Sequence, residues 1–179
     1  ISNVPFGDYG VHDPMMPAML TKRIHDYFVS KWVEYAHADT IGVFITSMYT
    51  MDKQHQSVRK YCDSRAELIA AVRMPETAFK KCAGTDVVTD ILIMRKRPIQ
   101  RSAVYDMWVD TALIEYPTDE TYDGKIEARI NQYYHANPAN ILGVVTRGHM
   151  YYRNGAPSWK ALPEETHGTL SQQVERTLI

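Results

Sequence analysis

The chain of 179 residues is 45% hydrophobic and 23% charged, proportions of a folded globular domain and not of a disordered tail, a collagen-like fibre or a low-complexity array. Lys+Arg 20 stand against Asp+Glu 21, which excludes bulk polycation binding to nucleic acid and leaves any such contact to a local patch or to another segment. The two cysteines, Cys62 and Cys82, form no CxxC, no apolar run reaches the length of a membrane span and no signal peptide is visible, so a reducing, cytoplasmic setting is expected.

Ile1-Ser2-Asn3-Val4-Pro5-Phe6 reads as the tail of a buried strand running into a turn. No Met opens it, and Leu170 to Ile179 ends within a helical pattern, so the chain reads as a fragment of a larger protein. Phe6 to Pro17 is a loop rich in Gly, Asp and Pro. Leu20, Ile24, Tyr27, Phe28 and Val33 predict a helix over Ala18 to Ala38. Ile41 to Ser47 is a short apolar, β-branched run, the pattern of a strand in a parallel sheet. Ser57 to Arg65 predicts a short helix with Ser57 as N-cap. Glu67 to Arg73 and Val87 to Arg95 predict strands, the first stopped by Pro75. Strand, helix, strand, helix, strand is the grammar of an α/β sheet with crossover helices.

Arg95-Lys96-Arg97-Pro98 is a basic stop, taken as a solvated strand end, and the periodicity weakens after it. Ser102 to Tyr116 predicts a strand or an extended wrap, and Pro117 to Gly124 an acidic loop. Ile126 to Ala136 predicts a short helix ended by Asn137-Pro138. Leu142 to Arg153 predicts a hairpin turning at Arg147-Gly148 and closed by Asn154-Gly155. Two parts are expected, a sheet-forming region over 1–97 and an accessory region over 98–179.

The opening motif carries the chemistry. Ligands of open α/β sheets bind beyond the carboxyl ends of the strands. There, Asn3 offers a side-chain carbonyl, Val4 a backbone carbonyl, Pro5 a stiff turn and Phe6 a flat face for a base. Two acceptors beside an aromatic plate suit an exocyclic amino group on a flat heterocycle. That nitrogen's lone pair is conjugated into the ring. Acceptors on its N–H bonds favour a pyramidal nitrogen with an aimed lone pair, which is catalysis by positioning and electrostatics.

Asn3-Val4-Pro5-Phe6 resembles the (Asn/Asp)-Pro-Pro-(Tyr/Phe) motif of amino-group DNA methyltransferases, with Val in place of the first Pro. The chain is similar to the large adenine-N6 DNA methyltransferases of bacterial genomes, plasmids and phages, often found beside helicase-like segments. His25-Asp26-Tyr27-Phe28, Gly42 to Ser47, Val58 to Tyr61, Ala66 to Ile69 and Val72 to Pro75 resemble successive family blocks. So do Ala78 to Lys81, Ala83 to Leu92 and Asn131 to Gly143. The resemblance spans most of the chain. It implies the later half of a Rossmann-like methyltransferase sheet with a small mixed appendage, and methyl transfer from S-adenosylmethionine to N6 of a flipped adenine in double-stranded DNA. Asn3 would accept from the amine, Pro5 would hold the turn, and Phe6 would stack on the base. Val4 would lend its carbonyl, Phe79 would close the other side of the base, and Lys80 and Lys81 would meet phosphate. The family's Gly-rich cofactor turn and acidic residue match nothing ahead of Asn3. The resemblance therefore puts most of the cofactor site in an upstream segment of the same protein.

No HxxxH or HExxH is present and no metal is expected. The cysteines read as small buried residues. Tyr133-Tyr134 and Tyr151-Tyr152 read as pairs split between core and surface, with base stacking the lesser alternative. Two other functions stay open. One is a methyltransferase-like module that binds DNA or a partner and catalyses nothing. The other is the same chemistry on RNA, a free nucleotide or a protein glutamine. The DNA site, oligomeric state and biological role (restriction-modification, plasmid protection or phage) are closed to the sequence.

Overall fold

The computed structural model describes residues 1–80, 87–102, 105–117, 124–151, 157–163 and 168–178. The fold is mixed α/β, built on a four-stranded sheet of order β1-β2-β4-β3. β1 (Ser2–Asn3) runs parallel to β2 (Ile41–Ser47), and β4 (Thr89–Lys96) lies antiparallel to both β2 and β3 (Ala66–Met74). β1, β2 and β3 therefore point the same way. Their carboxyl ends share one margin of the sheet, and β4 starts there.

The helix α1 (Ile24–Tyr35) carries the chain from β1 back to β2. Trp32 lies so close over Gly42 that a Cβ there would sit 2.7 Å from its ring, so the glycine admits the helix to the sheet. α1 starts later than the periodicity predicts, because the chain before it is tied into turns by Leu20 N–H to Pro17 O at 2.9 Å and Val11 N–H to Thr21 O at 2.8 Å. Leu20 is nonetheless fully buried, which is why it matches the helical spacing. α2 (Tyr49–Asp52) and α3 (Ser57–Arg65) lead to β3. Gln56, not Ser57, is the N-cap of α3, and it makes no side-chain cap bond.

Beyond β4 the chain makes a 3-10 turn at Met107–Val109 and the hairpin β5 (Thr111–Pro117) with β6 (Lys125–Asn131). The helix expected over Ile126 to Ala136 is a correction. Its first half is β6, where Ile126, Ala128 and Ile130 alternate into the core, and only α4 (Gln132–Ala136) is helical. β7 (Val144–Tyr151) and β8 (Pro157–Leu162) pair antiparallel as expected, but β7 continues through Arg147-Gly148, with a shift of register between Arg147 and Tyr151. Tyr151 pairs with Pro157, so the strand continues past Arg147-Gly148 and the turn predicted there is also corrected. α5 (Leu170–Leu178) closes the described chain. Asn154-Gly155 and most of the acidic loop lie outside the described residues.

The main core joins Val4, Leu20, Val29, Val33, Phe44, Leu92 and Met94 to Trp108, Val109 and Tyr134, so residues on both sides of position 97 share it. A second cluster packs Ile126, Ile130, Val145 and Trp159 against Met48 and Val88 at the carboxyl margin of the sheet. The hairpins thus abut the end where ligands of such sheets bind. No helix among the described residues is long and apolar enough to cross a membrane.

Candidate functional site

The opening motif leaves the carboxyl end of β1. Asn3 sits opposite Ile45 in the parallel register and is exposed. Val4 follows with 2% exposure, its side chain in the main core and its N–H donating to Ile45 O at 3.0 Å. A proline at this position would have no N–H to give. The valine thus extends the short β1–β2 ladder by one bond, while Pro5 behind it keeps Val4 extended. Pro5 is exposed, and Phe6 is partly buried with its ring against the main core. An exposed amide and a half-held aromatic ring therefore leave the same strand end, three residues apart in sequence.

The loop that follows is clasped to α1 through Asp13. Its carboxylate accepts from Lys31 Nζ at 2.6 Å, from Tyr27 Oη at 2.9 Å and from the Met15 N–H at 2.9 Å. The Lys31 hydrogen bond holds the carboxyl below the usual carboxylate range. Asp8 pairs with Arg23 beside it. Tyr9 lies directly over Gly7, whose Cβ would fall 2.2 Å from the ring, and is itself largely exposed. It brings a second aromatic side chain to the motif loop, one that the sequence reading passed over.

The first turn of α1 adds a buried charged cluster. Asp26 pairs with Lys53, which follows α2. His25 lies 3.7 Å from Asp26, and neither ring nitrogen has a hydrogen-bond partner in this buried position. Burial lowers its pKa, so it stands as a neutral imidazole. Arg59 is buried and donates to Val109 O at 2.8 Å, Lys53 O and Thr50 O, which ties α2 to α3. Burial lowers its pKa to about 10.

The strongest buried polar feature was missed in the sequence. Arg73 on β3 and Asp90 on β4 face each other in register. Arg73 also donates to Asp52 of α2 at 2.6 Å, and its guanidinium carbon lies 4.3 and 4.9 Å from the ring centres of Tyr134 and Trp159. Asp52 accepts from the Asn131 N–H at 2.9 Å, so the network binds sheet, α2 and β6 together. Burial raises the Asp52 pKa to about 6. The available signal was charge at 73 and 90 inside two apolar runs that flank one connection.

The other expected site residues are dispersed. Phe79 lies in the turn after β3, partly buried, at the same margin as Phe6 but on the opposite edge of the sheet. Three inter-strand steps separate the two strand ends, about 14 Å. Lys80 is exposed beside it, and Lys81 lies outside the described residues with Cys82 and the segment 83–86. Arg95, Lys96 and Arg97 are at the far margin of the sheet and are engaged there. They reach Glu67 Oε2 at 2.5 Å, Val33 O at 2.6 Å and Asp106 Oδ2 at 3.1 Å respectively. Tyr134 is fully buried, while Tyr133 is half-buried with its hydroxyl accepting from Asn140 Nδ2 and the Ala71 N–H. Tyr152 and the Tyr151 side chain lie outside the described residues. Cys62 is buried, its thiol pushed up to about 12 by that burial. No group of three or more His, Cys, Asp or Glu among the described residues is arranged to hold a metal ion.

A groove of about 700 Å³ flanks β1, lined by Ile1, Phe28, Trp32, Tyr35, Ile41 and Phe44 among others. Among the described residues its lining contains no carboxylate and no Gly-rich turn. By itself it does not make the S-adenosylmethionine cradle that the resemblance implies. No family model matches the chain, and no curated protein or solved structure matches it either.

Proposed function

We propose that the chain is the later half of a Rossmann-like, S-adenosylmethionine-dependent DNA methyltransferase that acts on adenine N6. One observation carries the reading. The Asn3-Val4-Pro5-Phe6 motif stands at the carboxyl end of a strand in parallel pairing, with Asn3 exposed and the Phe6 ring held against the core. That is the placement a flat amine-bearing ligand needs, with an acceptor at the strand end and an aromatic face beside it.

In this reading Asn3 Oδ1 and the Val4 carbonyl accept the two N–H bonds of a flipped adenine, and Phe6 stacks on its ring. The acceptors favour the pyramidal nitrogen and aim its lone pair. The cofactor supplies the electrophilic methyl group. Since the described lining of the groove beside β1 offers no carboxylate and no Gly-rich turn, that role is assigned in this reading to an upstream segment of the protein. The outer edge of β1 pairs with no strand among the described residues, which leaves backbone there for such a segment to meet.

The test uses the full protein with labelled S-adenosylmethionine and mixed-sequence DNA, followed by digestion and mass spectrometry of N6-methyladenine. Asn3→Ala runs beside it. Product that vanishes in the variant supports both the reaction and the residue. A folded protein that binds cofactor and leaves DNA unmethylated removes the reading in favour of a binding module. Transfer to RNA or protein glutamine instead would move the same chemistry to another substrate.

A further inference from the structure

We infer that Tyr9 is the second aromatic contact of the flipped adenine, closing on the base from the motif loop, a role that rests on the adenine-methylation reading. A base drawn out of the duplex loses its stacking on both faces, and one ring restores only one of them. In the motif that ring is Phe6. Tyr9 stands three residues from it in the same loop, whereas Phe79 follows a strand three inter-strand steps away.

The ring turns back toward the motif. The three atoms nearest to a Cβ built on Gly7 all belong to the Tyr9 ring, the first of them at 2.2 Å. Gly7 is not in the left-handed region, so it is the ring, and not the backbone conformation, that bars a side chain there. Consecutive Cα atoms are about 3.8 Å apart, so the Tyr9 ring lies one residue from the point where Phe6 leaves the backbone. The loop is tied on both sides of Tyr9. Asp8 pairs with Arg23, the N-cap of α1, and the Val11 N–H donates to Thr21 O at 2.8 Å. Gly10 approaches the same carbonyl so closely that a Cβ would lie 2.7 Å from it. α1 starts on the carboxyl side of the sheet, because it carries the chain from the end of β1 back to the start of β2. These ties therefore keep Tyr9 at the margin where Asn3 stands.

Packing does not account for the ring. It is 55% exposed and joins none of the three apolar clusters formed by the described residues. An aromatic side chain that is held in place yet open to solvent loses little freedom on binding and offers an uncovered face to a base.

The test follows N6-methyladenine formation by the full protein with labelled S-adenosylmethionine, over a range of concentrations of mixed-sequence duplex DNA. Tyr9→Ala lowers kcat/KM about tenfold, the loss of one base–aromatic stack, and Tyr9→Phe keeps the parent value, because stacking needs the ring and not the hydroxyl. Gly7→Ala pushes the ring aside without straining the backbone and lowers kcat/KM as Tyr9→Ala does. The two together cost no more than either alone, since both remove the same contact. Thermal unfolding of each variant reports whether the fold is intact. An intact Tyr9→Ala variant that methylates as the parent does, or a Tyr9→Phe variant as impaired as Tyr9→Ala, overturns the stacking role and leaves the methylation reading standing. Anisotropy of fluorescein-labelled oligodeoxyadenylate, and of an abasic oligomer of the same length, separates the two inferences. Tyr9→Ala weakens binding of the first about tenfold and leaves the second unchanged. A parent protein that forms no methyladenine yet shows this difference removes the methylation reading and keeps Tyr9 as a base contact. One that shows neither removes both.

Discussion

Arg73 and Asp90 meet across the β3–β4 register through two parallel hydrogen bonds of 2.8 Å, with both side chains fully out of solvent. This is the planar fork geometry in which guanidinium and carboxylate satisfy each other best. Asp52 takes a further donor of Arg73, and the rings of Tyr134 and Trp159 lie within cation–π distance of the guanidinium. The contact joins the sheet to the segments from both hairpins, so it sets where the hairpins sit relative to the motif strand.

Arg73→Leu should therefore be severe. It leaves two buried carboxylates, Asp52 and Asp90, without their shared cation, and loss of one partner from a buried pair costs about 3–5 kcal/mol. Urea unfolding of the variant reports this as a lower midpoint. Arg73→Leu combined with Asp52→Leu and Asp90→Leu should recover much of the loss, since an apolar set leaves no orphaned charge.

Asn3→Ala separates chemistry from stability. Asn3 is exposed at the strand end, and surface substitutions of this kind stay within about 0.5 kcal/mol. The expected outcome is an unchanged thermal midpoint with N6-methyladenine formation lost. A variant that unfolds early would instead make Asn3 a structural residue.

Val4→Pro probes the departure from the family motif. It deletes the N–H that reaches Ile45 O at 3.0 Å and a buried side chain from the main core. The bond alone contributes about 1 kcal/mol, and β1 has few others to hold it. Loss of stability, together with faster amide exchange at Ile45 and its neighbours on β2, is the expected result. Equal stability would mean that β1 pairs with β2 without this contact.

Much of the sheet was legible because its strands are short apolar runs of the expected chemistry. Ile41 to Ser47 gave the bounds of β2, and β3 and β4 fell within two residues of expectation. Burial in a sheet rewards β-branched and apolar residues, so composition and position agree there. The errors at β6 and β7 share one cause, local propensity overridden by pairing. Lys125 to Asn131 contains Glu, Ala and Arg, good helix formers, yet its alternating Ile126, Ala128 and Ile130 find a core face opposite β5. Gly148 resembled a turn residue, but it serves close approach of β7 to Ser158. The strand end that Asn3 to Phe6 leaves was legible, and β1 is Ser2–Asn3. The Arg73 network was not, because charge at 73 and 90 inside two apolar runs does not say that the two meet until the pairing of β3 with β4 is known.

Two buried groups should tilt stability with pH in opposite directions. Burial lowers the His25 pKa from 6.5, so the unfolded chain binds this proton more readily than the folded one. Its contribution is complete above pH 6.5 and is lost as the pH falls below it. Asp52 is the reverse, raised from 3.8 to about 6 by burial, so the folded state holds its proton longer. Its contribution is complete below pH 3.8 and is lost as the pH rises through about 6. Urea unfolding at intervals across pH 4 to 7 resolves the two. His25→Leu should remove the component of stability that rises with pH below 6.5, and at neutral pH should cost little, since its nitrogens have no partners to lose. Asp52→Asn should remove the component that falls with pH, while keeping an oxygen for the Asn131 N–H. If His25→Leu instead abolishes methyl transfer with stability unchanged, the imidazole acts in the site and not merely in the fold beneath it.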